Sequence, residues 1–191
     1  MAAFELDSAH SALLVMDFQT PIVERYATAQ DVLLSGTAEA IAAARRAGLR
    51  VIYVVVGFRP AFPEVSPRNQ SFSAIKASGG IASDVHPAVA PAADEVVITK
   101  HRVGAFTGTD LDMILRSNDI DTLVLCGIAT SGVVLSTLRH AADADYRLVV
   151  LRDCCADREE EVHACLMDKV FPRQATVATA ADFIRVLQAE R

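Results

Sequence analysis

Three stretches of this sequence end in side chains or backbone that can move protons or hold charge. ALLVMDFQ (12–19) carries Asp17, with Phe18 and Gln19 directly after it. VVITK (96–100) ends in Lys100. TLVLCGIATSG (122–132) runs into a small-residue turn, Gly127-Ile128-Ala129-Thr130, and Ser131-Gly132 then open a helical pattern. A carboxylate held beside an ammonium in a partly desolvated pocket stays ionised, and can take or give a proton there. Free N–H groups at the start of a helix can hold a carboxylate or a developing oxyanion.

These groups meet only if the runs that carry them are neighbouring strands. SALLVMD (11–17) is continuously apolar up to its Asp, as in a strand buried on both faces. RVIYVVV (50–56), EVVIT (95–99), DTLVLC (121–126), RLVVL (147–151) and ATVAT (175–179) read as five more strands. Helical periodicity fits 30–47, stopped by Gly48, and also 109–117, 131–144, 158–170 and 180–189. The βαβα alternation predicts an α/β fold, a three-layer α/β/α sandwich around a six-stranded, mostly parallel, Rossmann-like sheet. In such a sheet ligands bind beyond the carboxyl ends of the strands, near the point where strand order reverses. Asp17, Lys100 and the 127–132 turn all sit at such ends.

Residues 57–94 break the pattern, with Pro60, Pro63, Pro67, Pro87, Pro91, the Gly79-Gly80 pair and three phenylalanines, Phe58, Phe62 and Phe72. A stretch of that length reads as a lid, a binding loop or an oligomer contact. There is no linker and no internal repeat, so 1–191 reads as a single domain.

With 52% hydrophobic residues in 191, the chain can bury a sizeable core. Its net charge of −6 argues against a nucleic-acid or anionic-membrane surface, which needs clustered positive charge. MAAFELDSAH has no basic start followed by an apolar run, and no apolar run is long enough to span a bilayer, so the expected location is cytoplasmic. Cys126, Cys154, Cys155 and Cys165 include no C-x-x-C pair and read as reduced packing thiols. His140 and His163 fall in helices and read as packing or solvent-facing residues. Ser131 reads as a helix N-cap. The G-x-S-x-G elbow is not met, because Ala129 and Val133 occupy the glycine positions. No P-loop lysine follows Gly132, and no strand is followed by G-x-G-x-x-G, which argues against nucleotide cofactors.

Four pieces together, ALLVMDFQ (12–19), VVITKHRVGAFTGTDL (96–111), TLVLCGIATSGVVLSTLRHAADADYRLVVLRDCCAD (122–157) and ATVATAADF (175–183), resemble the isochorismatase-like hydrolase family, or cysteine hydrolase superfamily. The resemblance covers nearly the whole chain. It implies a three-layer fold, a homo-oligomer (dimer or tetramer), an Asp–Lys–Cys triad, and often a non-proline cis peptide within the segment matching Gly127–Thr130. Asp17 matches the acid/base residue and Lys100 the triad lysine. Alignment of Gly127 and Thr130 with the family turn places the nucleophile position at Val133, which has no lone pair and cannot form a thioester. After the second strand, GFRPAFPEV lacks the Asp-x-His with a following His that nicotinamidases use to hold zinc, so no metal or other cofactor is expected.

What remains resembles isochorismatases proper, some of which work without the cysteine. The implied chemistry is hydrolysis of a small carboxylate- or carbonyl-bearing molecule, with Asp17 as general acid/base and Lys100 tuning it. Phe18, Phe106, Ile128 and Val133 would supply apolar walls. Gln19 would add an orienting hydrogen bond, and the backbone of Ala129, Thr130, Ser131 and Gly132 would bind an anionic group. The alternative is a catalytically silent member serving as a binding or assembly module. A third option, an amidase using Ser131 or a displaced cysteine, ranks below both.

Overall fold

The computed structural model describes residues 4–190. In chain order the elements are β1 (Ser11–Met16), α1 (Thr20–Tyr26), α2 (Gln30–Ala47), β2 (Arg50–Val56), α3 (Gln70–Ala77), β3 (Val96–Lys100) and α4 (Leu111–Ser117). There follow β4 (Thr122–Ile128), α5 (Leu135–Asp143), β5 (Arg147–Ala156), α6 (Glu160–Cys165), β6 (Thr176–Ala178) and α7 (Ala180–Ala189). All six strands are parallel, in the order β3-β2-β1-β4-β5-β6. Strand order reverses between β1 and β4, which places the ligand crevice at the carboxyl ends of those two strands.

The apolar runs are continuous because both faces of the sheet are covered. On β1, Leu13 and Val15 pack with α1, α2 and α7, while Ala12, Leu14 and Met16 pack with α4, α5 and the segment after α6. Every residue of β1 and of β4 is buried. Each Leu or Val so placed contributes about 1.5–3 kcal/mol from the removal of apolar surface from water. The helix termini carry expected signals. Gly48 ends α2 at φ 74°, a left-handed conformation open to a residue without Cβ. Thr179 and Asp182 form a reciprocal capping box on α7.

The sequence reading misses two helices. Pro21 sits in the first turn of α1, where a missing N–H costs nothing. The stretch read as irregular contains α3, whose N-cap Asn69 accepts a bond from the Phe72 N–H. The helix expected from 131 begins as a wide π turn over Thr130–Val134 and becomes α-helical at Leu135. The one expected over 158–170 is α-helical only to Cys165 and then widens in the same way over Leu166–Val170. No helix among the described residues is long and apolar enough to cross a membrane.

Candidate active site

β1 ends where Asp17 turns into the left-handed region at φ 58°, a conformation that Asp tolerates better than most side chains. Its N–H donates to Val54 O at 2.8 Å, so the residue is tied to β2 as the chain leaves the sheet. Lys100 is the last residue of β3, two strands away, about 10 Å across the sheet. Its long side chain crosses the end of β2 and puts Nζ 2.9 Å from Asp17 Oδ2. The ammonium also donates to Arg102 O at 3.1 Å. The expected meeting of these two residues is therefore found.

Only 6% of Asp17 and 2% of Lys100 is exposed. Burial pushes the Asp17 carboxyl up to about 6, with the Lys100 charge opposing the rise. While Oδ2 receives the ammonium, Oδ1 is buried without a hydrogen-bond partner. When the carboxyl is protonated, the proton therefore belongs on Oδ1. This is a carboxyl poised to donate or accept in a site mostly closed to water.

β4 runs alongside β1, with Met16 paired to Gly127, and delivers the turn to the same rim. The Ile128–Ala129 peptide is cis, inside the segment where the resemblance expects one. A side chain at Gly127 would meet Met16 O at 2.9 Å, so the close approach of β1 and β4 requires glycine there. Ile128, Thr130 and Val133 are all buried, Val133 with 2% exposed.

Several expected roles change. The Gln19 side chain is fully engaged with main chain. Its Oε1 accepts from Val56 N–H at 2.8 Å, and its Nε2 donates to Val56 O at 3.0 Å and to Ala82 O. It clips residues 82–86 against β2 rather than offering an orienting bond to a ligand. That segment is also held by His86 N–H donating to Phe18 O at 2.7 Å. Phe106 stacks on His140, ring centroids 4.5 Å apart, and lies near Tyr146. Phe106 and Val133 share the buried apolar cluster on the same face of the sheet.

The backbone donors also differ from expectation. Ser131 caps no helix: the position before the turn is Ala129, which has no side-chain cap. The Ser131 N–H instead donates to Asp157 Oδ2 at 2.7 Å, and the Gly132 N–H to Ala129 O at 3.1 Å. A protein carboxylate thus already occupies the anion position expected at Ser131. Asp157 was missed because the fifth strand, read as 147–151, runs on to Ala156, the partner of Ile128 in the sheet. His163 is buried, not solvent-facing, and its Nδ1 lies 2.8 Å from Thr130 Oγ1; no local signal marks it.

Cys126, Cys154 and Cys155 are buried, and burial raises all three thiols, Cys154 to about 12. They are packing thiols in character; Cys165 alone is exposed. Among the described residues, no three His, Cys, Asp or Glu side chains gather as a metal cluster.

The parallel sheet between two helical layers, with its strand-end crevice at the β1/β4 reversal, defines a three-layer α/β/α protein of the Rossmann-like type. The model of the isochorismatase domain matches residues 11–182, and the chain belongs to that family. It is 33% identical over 189 residues to the uncharacterised isochorismatase family protein YecD of Escherichia coli, covering 96% of this chain and 99% of that one. It is 29% identical over 184 residues to the maleamate amidohydrolase of Pseudomonas putida, covering 93% and 86%. An isochorismatase family protein from Burkholderia thailandensis superposes with a TM-score of 0.82 at 32% identity, over 96% of this chain and 98% of that one.

Proposed function

We propose that this protein hydrolyses a small carboxylate- or carbonyl-bearing molecule by acid/base chemistry at Asp17, without a covalent cysteine intermediate. The observation that carries this is the unpartnered, buried Oδ1 of a carboxyl whose other oxygen is fixed by Lys100. Lys100 orients the group and keeps its titration within reach of neutral pH. Oδ1 then gives its proton to the substrate as the scissile bond polarises. The carboxylate so formed takes a proton from the water that adds, which restores the acid and leaves the elements of water in the products.

Val133 stands where the family resemblance places the thiol, so a thioester route is closed at that position. The named relative supports the substrate class, since maleamate is itself a small carboxylate-bearing amide. Ile128, Val133 and Phe18, all buried, would supply the apolar surface, with Phe18 directly following Asp17 in the chain.

The test is a panel of isochorismate, simple amides and ureido acids, assayed with wild type and Asp17→Asn. Turnover that Asp17→Asn abolishes and thiol alkylation leaves untouched is the expected result. Amide cleavage by the wild type that alkylation destroys would overturn the proposal.

A further inference from the structure

The acid/base route makes no use of His163, yet this histidine reaches the turn beside the site. Its Nδ1 lies 2.8 Å from Thr130 Oγ1, and the hydroxyl is completely buried. One residue on, Asp157 holds the Ser131 N–H at 2.7 Å. Two consecutive residues of the turn are therefore tethered from the segment that follows β5. Within the turn, the Gly132 and Val134 N–H groups both donate to Ala129 O.

The sheet explains why tethers from that segment bear on Asp17. Met16 pairs with Gly127 and Ile128 pairs with Ala156, so β1, β4 and β5 release Asp17, the turn and Asp157 side by side. The turn's side chains Ile128, Thr130 and Val133 are buried, Ile128 in the core on one face of the sheet and Val133 in that on the other. A shift of the turn would open the rim next to the carboxyl, whose properties depend on being dry.

We propose that His163 is a positioning residue of the Asp17 site, which through Thr130 fixes the turn after β4 and so keeps water from the carboxyl. This rests on the reading of Asp17 as the acid/base group. Burial lowers the titration of the imidazole, with Arg152 acting in the same direction and Glu160, Asp157 and Asp168 against it. The neutral ring is the form that can either accept the Thr130 proton or donate to its oxygen.

The experiment follows the Asp17 carboxyl by carbon NMR from pH 4 to 8 in wild type, Thr130→Val, His163→Phe and His163→Asn. No substrate is needed. In Thr130→Val and His163→Phe the Asp17 midpoint should fall by about half a pH unit or more as water enters. The backbone amide shifts of 128–133 should move with it. His163→Asn, whose amide can stand where Nδ1 stood, should keep the wild-type midpoint. An unchanged midpoint with unchanged amide shifts in a folded variant overturns the proposal, as does His163→Asn behaving like His163→Phe. Thr130→Val, nearly unchanged in shape, carries the test if His163→Phe does not fold. Retained turnover in Asp17→Asn would remove the acid/base reading yet leave the tether result standing, so the two failures are distinguishable.

Discussion

Lys100 Nζ and Asp17 Oδ2 lie 2.9 Å apart, although their strands are separated by β2 and neither side chain is appreciably exposed. Two charges removed from water together in this way offset only part of their desolvation. The unequal outcome is visible on the acid, whose titration burial raises more than Lys100 lowers it. For a general acid that must hold its proton, the rate should therefore decline as pH rises through about 6. Lys100→Met removes the opposing charge, so the same decline should move to higher pH, by about one unit or more. The dependence of kcat/KM on pH for both proteins checks this; a limb that stays in place would show that Asp17 is not the titrating group.

The same carboxyl sets a stability trend. Its folded value of about 6 lies above the ordinary value of about 3.9, so between these the folded state binds more protons than the unfolded one. The stabilisation is complete below the unfolded value and is lost as pH rises through the folded one, on the order of 3 kcal/mol in all. Urea midpoints should be lower at pH 8 than at pH 5, and Asp17→Asn should remove that part of the difference.

Much of this arrangement was legible in the sequence because it depends on strands. A continuous apolar run ending in Asp or Lys marks a strand end, and α2 and α7 match their expected bounds because Gly48 and Thr179 punctuate them. The engagement of Gln19 and the stacking of Phe106 were not legible. Each is decided by what a distant segment brings: Ala82 for the amide, and His140 with Tyr146 for the ring. His163 was hidden for the same reason, its partner lying on another strand's turn. Periodicity reports which face a residue occupies, but side-chain hydrogen bonds across long separations leave no periodic trace.

Gln19→Leu should loosen the covering segment without emptying the core. The change strands the Val56 N–H and the Val56 and Ala82 carbonyls, and buried groups left unpaired cost about 1–3 kcal/mol each. A loss of about 3 kcal/mol in urea unfolding is expected, since residues 82–86 can find water for one of them. Hydrogen exchange should quicken first at His86, whose N–H is bonded to Phe18 O. Exchange unchanged at residues 82–86 would mean that other contacts hold the segment.

Gly127→Ala tests the close approach of β1 and β4. The added Cβ would stand 2.9 Å from Met16 O, 3.1 Å from Met16 Cβ and 3.2 Å from Val134 Cγ2. Two of these belong to β1 itself, so the strands must part. A cost of about 1–3 kcal/mol is expected for such overpacking, together with a fall in activity because Asp17 follows Met16 directly. Equal stability of the variant and wild type in chemical denaturation would show that the strands can shift freely at this point.

Val133→Cys asks whether the pocket is still shaped for a nucleophile. The introduced thiol would sit in the turn that leads into α5, and a helix N-terminus lowers a thiol below its usual value of about 8.5. The contrast is with Cys154, which burial in the sheet pushes up to about 12 and so keeps inert. If the turn retains its geometry, the variant should gain weak esterase or amidase activity with a trapped acyl intermediate at residue 133. Labelling by a reactive ester, read peptide by peptide, separates this from reaction at exposed Cys165. Val133 is 2% exposed, so a reagent reaches the new sulfur only if the turn lets it in. A folded variant whose new thiol is never acylated would count against a turn that still presents residue 133 to a substrate.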